Sequence, residues 1–318
     1  MTQVSIIVPV YNEEESLPEL TEWIERVMQQ HQLTYELLFI DDGSSDHSWE
    51  VIEKLAHANG HVKGVAFSRN YGKSAALDIG FSKALGEVVV TMDADLQDSP
   101  DEVPSLYHMI SKEGYDVVSG WKKKRYDPFT KTIPSKFFNG VTRLISGIKL
   151  HDFNCGLKAY RRKVVKQIHL YGEMHRYIPL IAKWNGFTKI GEKVVEHRAR
   201  KYGSTKFGIE RFIHGFLDLI SVSFVNRYKK KPMHFFGSLG TISFLGGFLI
   251  TCWLVIEKIR SLRLGLSVRE VTDQPLFYLS LVALIVGVQL FLTGFMAEMM
   301  TSNSSRKSDY NIDDEINF

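Results

Sequence analysis

Up to residue 233, apolar and polar positions alternate in two rhythms. Val4-Ser5-Ile6-Ile7-Val8-Pro9-Val10 is a short apolar run closed by the polar turn Tyr11-Asn12-Glu13, the pattern of a strand buried on both faces. From Ser16 to Gln30 the apolar residues Leu17, Leu20, Trp23, Ile24 and Val27 recur at helical spacing. The same pair of rhythms returns. Strands are expected at Tyr35–Ile40, Val62–Ser68, Glu87–Met92 and Asp116–Gly120, with a helix at Lys73–Leu85. Strands alternating with helices predict βαβ units and an α/β fold built on a mostly parallel sheet. From Lys131 to Val165 the pattern turns helical and basic, and Phe207 to Val225 reads as an amphipathic helix carrying Ile209, Phe212, Ile213, Phe216, Leu217, Ile220 and Phe224 on one face.

The rhythm then stops. His234–Ile256 and Pro275–Ala297 carry no formally charged side chain, and each exceeds the roughly 20 residues that a membrane-crossing helix needs. Two transmembrane helices are therefore expected, joined by the mixed linker Glu257–Gln274. The linker holds four Lys or Arg, as does the segment before the first span, so charge alone leaves the orientation open. The helix over 207–225, followed by Arg227, Lys229, Lys230 and Lys231, suits a membrane interface, with an ordinary core helix as the alternative. The polar residues Thr301–Phe318 are expected to form a flexible tail.

Composition adds little, because averages hide this split: 44% hydrophobic and 24% charged residues describe an ordinary soluble protein. The net charge of +3 gives no case for a nucleic-acid partner. The two cysteines, Cys155 and Cys252, do not form a disulfide framework, since the second lies in an apolar run. The N-terminus lacks the basic region of a signal peptide.

Chemistry is expected where the strands end. In open α/β sheets, ligands bind outside the carboxyl ends of the strands. Asp93-Ala94-Asp95 follows one strand, Asp41-Asp42 a second and Tyr11-Asn12-Glu13 a third. Two carboxylates at such an edge repel a pyrophosphate unless a hard divalent cation is held between them. The aromatic ring and acceptors at residues 11–13 suit a base and a ribose. Asn70-Tyr71-Gly72-Lys73-Ser74 fails as a phosphate loop, because Phe67 stands where that motif needs glycine. Lys73 is left either near the nucleotide or at a solvated helix start.

These motifs carry a resemblance. Val8-Pro9-Val10-Tyr11-Asn12-Glu13, Ile40-Asp41-Asp42-Gly43-Ser44 and Asp93-Ala94-Asp95-Leu96-Gln97 resemble the signature of the family 2 inverting glycosyltransferases, whose catalytic domain is the Rossmann-like GT-A fold. Leu96-Gln97-Asp98-Ser99-Pro100, the run from Asp152-Phe153-Asn154-Cys155-Gly156 to Arg162, and Arg200 to Lys206 are similar to the branch acting on dolichol and undecaprenyl phosphates, over residues 4–300. The resemblance implies transfer of a sugar from a nucleotide sugar to a polyprenyl phosphate by a membrane-bound enzyme whose catalytic domain faces the cytoplasm. It gives Pro9, Tyr11, Glu13 and Asp42 to the base and ribose. It gives Asp93, Ala94, Asp95 and Gln97 to the nucleotide sugar, with Asp93, Asp95 and Gln97 holding Mg²⁺ or Mn²⁺. Arg200 and Lys206 are implied to grip acceptor phosphate, with Arg125, Ser135, Lys136 and Arg143 as further ligands. Thr205 stands where the family usually has serine, which keeps the hydroxyl.

Asp95 is the expected catalytic residue through the cation. Asp152 is either a base or a structural acid, and His175-Arg176-Tyr177 either touches lipid phosphate or forms a surface loop. The expected organisation is a GT-A domain over 1–206, an interfacial helix and basic linker over 207–233, a two-helix hairpin over 234–300 and a tail over 301–318. A UDP-hexose is favoured as donor over GDP-mannose, and homo-oligomerisation is left open. Two other readings are an inactive GT-A scaffold and a processive polysaccharide synthase. The second would require a Gln-x-x-Arg-Trp motif, and the chain contains none.

Overall fold

The computed structural model describes residues 2–123, 139–144, 146–198, 201, 224, 231–265, 269–303 and 312–317. Arg125, Ser135, Lys136, Arg200, Lys206 and, apart from Phe224, the expected helix over 207–225 lie outside them. The chain forms two compact units: Met1–Ile220 with Asp309–Phe318, and Ser221–Ser308.

The first unit is built on a mixed, mostly parallel eight-stranded sheet. Its strands are β1 (Val4–Val10), β2 (Tyr35–Asp41), β3 (Val62–Phe67), β4 (Val88–Thr91), β5 (Val117–Trp121), β6 (Lys158–Arg161), β7 (Ile190–Val194) and β8 (Ile312–Ile316). They lie in the order β7-β5-β6-β4-β1-β2-β3-β8. β1 pairs in parallel with both β2 and β4, and β3 and β7 extend the two sides in parallel. β6 runs antiparallel between β4 and β5. The central strands are apolar throughout because both faces are covered. Ile6, Val8, Leu37, Phe39 and Val90 are fully buried.

Helices α1 (Leu17–Gln30), α2 (Ser48–Ala58), α3 (Lys73–Lys83), α4 (Val103–Ser111) and α5 (Ile178–Trp184) accompany the strands. α1 buries the predicted stripe of Leu17, Leu20, Trp23, Ile24 and Val27. Each such side chain stabilises the fold by about 1.5–3 kcal/mol when fully buried. α3 lies so close to β1 that a Cβ at Gly80 would stand 2.5 Å from Ile7 Cγ2.

The five strands expected from the pattern are present, and three more are not anticipated by it. Lys158–Arg161, placed by the sequence in a helical stretch, is a strand. Only four residues long and holding Lys158 and Arg161, it is too short and too polar to show a period of two. The tail expected to be flexible is ordered at Ile312–Ile316, which adds to β3 as an antiparallel edge strand. There Ile316 packs on the core, and its Cγ2 lies 3.1 Å from where a Cβ on Gly64 would be. Asn317 Nδ2 donates to the Ala56 and Val62 carbonyls at 2.8 and 3.1 Å.

The second unit holds α6 (Pro232–Arg263) and α7 (Pro275–Asn303). α6 continues into the expected linker as far as Arg263. Both helices are long and apolar enough to cross a membrane, and only 17% and 11% of their most apolar windows are buried, which is unlike core helices. They pack through glycines. A Cβ on Gly287 would fall 2.6 Å from Phe244 N, one on Gly240 2.7 Å from the Gly287 carbonyl, and one on Gly247 2.6 Å from the Ser280 carbonyl. Ser243 Oγ donates to the Ala283 carbonyl at 2.8 Å and Thr251 Oγ1 to Ser280 Oγ at 3.0 Å. Close backbone contact with hydrogen bonds between small residues is how helices associate where no hydrophobic driving force acts between them.

Candidate active site

Parallel pairing of β4, β1 and β2 puts their carboxyl ends on one edge of the sheet. Antiparallel β6 starts there, with Lys158 opposite Thr91, the last residue of β4. The loop Asp152–Leu157 therefore enters the sheet beside Asp93. β5 ends on the same edge and delivers Trp121 and Lys122. The loop after β3 leads into α3 and brings Lys73.

Asp93 is the centre of the cluster. Its Oδ1 is ion-paired with the Lys73 ammonium. Its carboxylate rests against Gly156, where a Cβ would stand 2.4 Å from Oδ2. Only glycine allows that approach. Asp95 is buried, and one of its oxygens accepts the Gln97 N–H at 3.2 Å. Between them, Leu96 has φ +59°, a strained conformation for a residue with a branched side chain. Asp98, fully buried, is paired with Lys122 at 2.8 Å. Lys158, also buried, donates to the Cys155 carbonyl.

These charges set one another. Burial pushes the Asp93 carboxyl up, but Lys73, Lys122 and Lys158 outweigh it and hold it down at about 2. Burial pulls Lys122 down, and Asp98 more than reverses this, so Lys122 stays protonated. Burial holds Lys158 below the usual lysine range. It pushes the Cys155 thiol up to about 12, which makes that cysteine an inert packing group.

The other expected residues line neighbouring strand ends. Tyr11 is 45% exposed, so its ring face is open to a ligand. The Glu13 backbone N–H donates to Ser48 Oγ at 2.9 Å, and Ser16 Oγ donates to the Glu13 carboxylate at 3.3 Å. Pro9 pairs with Ile40 inside the sheet. Ala94 is buried in the core. Asp42 is already engaged: its oxygens accept the Tyr71 N–H at 2.7 Å and the Gly72 N–H at 2.9 Å, which fixes the loop that presents Lys73. Gln97 Nε2 donates to the Arg198 carbonyl at 3.4 Å, and Asp98 bridges to His197, so the segment leading toward 200 runs past the acidic pair. Arg143 is exposed, and its Nε donates to the Leu150 carbonyl at 3.2 Å. Asp152 is buried and accepts the Asn154 N–H at 3.0 Å, a turn-forming bond.

Sequence reasoning did not assign Asp98, Lys158, Gly156 or Ser74 to the site; it matched Lys122 only loosely, to the family's basic loop at Lys122–Arg125, and left His175 between a lipid-phosphate contact and a surface loop. His175 N donates to Ser74 Oγ at 3.0 Å, and that hydroxyl lies 3.2 Å from His175 Nδ1. Burial, then Lys73, Arg176 and Lys158, hold this histidine well below its usual range and keep it neutral. The available signal was the cluster of Asp, Cys, Gly and Lys at 152–158, whose inward direction only the antiparallel β6 reveals.

The donor set can be tested against a divalent cation. Asp93 and Asp95 offer hard oxygens, and a cationic ammonium already stands on Asp93. Among the described residues no three His, Cys, Asp or Glu side chains form a cage of their own. Such a site fits Mg²⁺ or Mn²⁺, which bind through one or two carboxylates and complete their shell with substrate phosphates.

An α/β sheet whose carboxyl edge gathers an acidic pair among lysines defines a domain for phosphorylated ligands. The glycosyl transferase family 2 model matches residues 5–169, and the chain belongs to that family and is a glycosyltransferase. It is 38% identical to the dodecaprenyl-phosphate galacturonate synthase of Rhizobium johnstonii, over 94% of this chain and 87% of that one. It is 32% identical to the undecaprenyl-phosphate 4-deoxy-4-formamido-L-arabinose transferase of Proteus mirabilis, over 94% and 88%. Among solved structures, the glucosyl-3-phosphoglycerate synthase of Mycobacterium tuberculosis, crystallised with Mn²⁺, UDP-glucose and phosphoglyceric acid, superposes with a TM-score of 0.54 at 18% identity, covering 71% of this chain and 79% of that one. This likeness shows the GT-A fold.

Proposed function

We propose that the protein transfers a sugar, with inversion, from a nucleotide-sugar donor to a polyprenyl phosphate at a membrane surface. The observation that carries this reading is the cluster at the sheet edge, where Asp93 and Asp95 stand among Lys73, Lys122 and Lys158. The two relatives named for polyprenyl-phosphate products support the acceptor class. A UDP-hexose is the favoured donor.

Two anions must meet in the reaction, the donor diphosphate and the acceptor phosphate. The acceptor barely needs a base, because a phosphate monoester loses its second proton near about pH 6. Asp152, bonded to the Asn154 N–H and facing Lys158, is therefore read as a positioning acid. Tyr11, Glu13 and the loop fixed by Asp42 hold the nucleoside. Asp93 and Asp95, with Gln97, would hold Mg²⁺ or Mn²⁺, which when bound neutralises charge on the departing diphosphate. The phosphate oxygen bonds to the anomeric carbon as the nucleoside diphosphate leaves with the bonding electron pair.

α6 and α7 span the bilayer as a hairpin and keep the enzyme beside its lipid acceptor. Residues before and after them belong to one compact unit, which supports a hairpin that crosses and returns. The catalytic unit faces the cytoplasm. Purified full-length protein incubated with Mg²⁺, undecaprenyl phosphate and a panel of radiolabelled UDP- and GDP-sugars should yield one lipid-linked sugar; no product with any donor refutes the reading.

A further inference from the structure

Lys73 has two unusual features. It is the first residue of α3, held in place because the Tyr71 and Gly72 N–H groups before it bind the Asp42 carboxylate. Its ammonium sits on Asp93, one of the two oxygen donors that a divalent cation would need.

The three lysines of the cluster differ in how freely they can leave. Lys158 is 3% exposed and is tied to the Cys155 carbonyl. The Lys122 side chain is 14% exposed and is committed to Asp98, which is fully buried. The Lys73 side chain is 33% exposed, and its partner Asp93 34%. Lys73 is thus the cation of this cluster whose stem can swing into solvent without stranding a fully buried carboxylate.

We propose that Lys73 is a resident counter-cation for Asp93: it holds the carboxylate in place in the free enzyme, is displaced when a divalent cation binds, and passes to the diphosphate of the donor. This rests on the reading of the site as one for a nucleotide sugar. The reason is electrostatic. An ammonium and a divalent cation cannot share one carboxylate oxygen without strong repulsion. Once displaced, the ammonium needs a new anion, and the donor brings it. Metal alone therefore binds weakly, because it must evict Lys73 with nothing to receive it. Nucleotide alone binds weakly, because Lys73 prefers Asp93. Together each removes the other's obstacle, and the coupling is reciprocal. In the free site Lys73 also offsets the repulsion that Asp93 exerts, with Asp95, on buried Asp98.

The test measures free Mn²⁺ by electron paramagnetic resonance in titrations of detergent-purified full-length protein, with and without UDP or GDP. In the wild type, nucleotide should tighten Mn²⁺ binding by about ten-fold or more. In Lys73→Met, Mn²⁺ alone should bind about ten-fold tighter than to the wild type, and the nucleotide effect should shrink by about the same factor, leaving the share that comes from direct coordination of the cation by the diphosphate. Lys73→Gln carries the same expectation should the Met variant not fold. Lys73→Arg keeps the charge and should retain the coupling. Unchanged Mn²⁺ affinity in the charge-removing variants, beside a wild type that binds nucleotide with Mn²⁺, overturns this inference and leaves the proposed function standing; so does a Lys73→Arg variant that has lost the coupling. A wild type that binds neither UDP nor GDP with Mn²⁺ overturns both.

Discussion

The carboxyl edge of the sheet and the helical pair depart from the usual inside–outside arrangement in opposite directions. At the sheet edge, charge is buried: Asp98 and Lys158 are almost wholly enclosed, and Asp93 is held ionised at about 2 by the lysines around it. In the helical pair, apolar surface is exposed: Ile242, Leu249, Trp253, Leu279 and Met296 all point outward. Each departure names the medium that resolves it. Buried charge that is balanced but not sealed awaits a charged ligand. Exposed apolar surface of this extent awaits lipid. The two units also use glycine differently. Gly156 makes room for a carboxylate, whereas Gly240, Gly247 and Gly287 make room for another backbone.

The largest effect is expected at the acidic pair. Asp95→Asn keeps the acceptor for the Gln97 N–H and removes only charge. Turnover of nucleotide sugar to lipid product should fall by about a hundred- to a thousand-fold, the size of lost transition-state electrostatics, with an unchanged melting temperature. Substantial remaining activity would separate the buried charge from the chemistry. Next comes Gly156→Ala. The new methyl would overlap Asp93 Oδ2 and push the carboxylate aside. Turnover should drop by about ten- to a hundred-fold, and Mn²⁺ affinity should weaken, while the Cys155 and Leu157 neighbours stay packed. A variant as active as the wild type would show that Asp93 has room to spare.

Much of this was legible in the sequence. The runs at 4–10, 35–40 and 87–92 read as strands because they are short and mostly apolar, and the strands they form are buried on both faces. Their acidic ends placed the site on one edge. The two long apolar helices were legible for the same reason, as unbroken apolar length. What stayed hidden was set by tertiary direction. Nothing local to Lys158 tells that it begins an antiparallel strand and points into the cluster. The sequence leaves Lys73 either near the nucleotide or at a solvated helix start; it does start a helix, and its ammonium reaches Asp93 because the loop before it is anchored on Asp42. Ile312–Ile316 is acidic and short, and becomes a strand only because β3 offers an open edge beside Gly64.

A smaller effect is expected in the helical pair. Gly287→Leu places a side chain where Phe244 N now approaches to within 2.6 Å of a Cβ position. Overpacking should destabilise the pair by about 1–3 kcal/mol, seen as a lower melting temperature in detergent. UDP binding with Mn²⁺ by the folded fraction should be unaltered. Lost nucleotide affinity at full folding would show that packing within the helical pair feeds into the nucleotide site.

The smallest effect is expected at a buried histidine beside the lysines. His175 is kept neutral by burial and by the cations Lys73, Arg176 and Lys158. Its folded pKa lies well below 6.5. In the unfolded chain the ring takes up a proton as pH falls below that ordinary value, and in the folded chain it resists. The unfolded state therefore binds more protons in this range, and stability falls as the pH drops. Its contribution is complete above about pH 6.5 and declines below it. Between about pH 7.5 and 5.5 the loss should reach up to about 1.4 kcal/mol. His175→Asn, which cannot titrate, should lose less stability than the wild type over the same interval in paired denaturant melts. Parallel curves would mean that the ring accepts a proton among three cations, and that the cluster is far better screened by solvent than its burial implies.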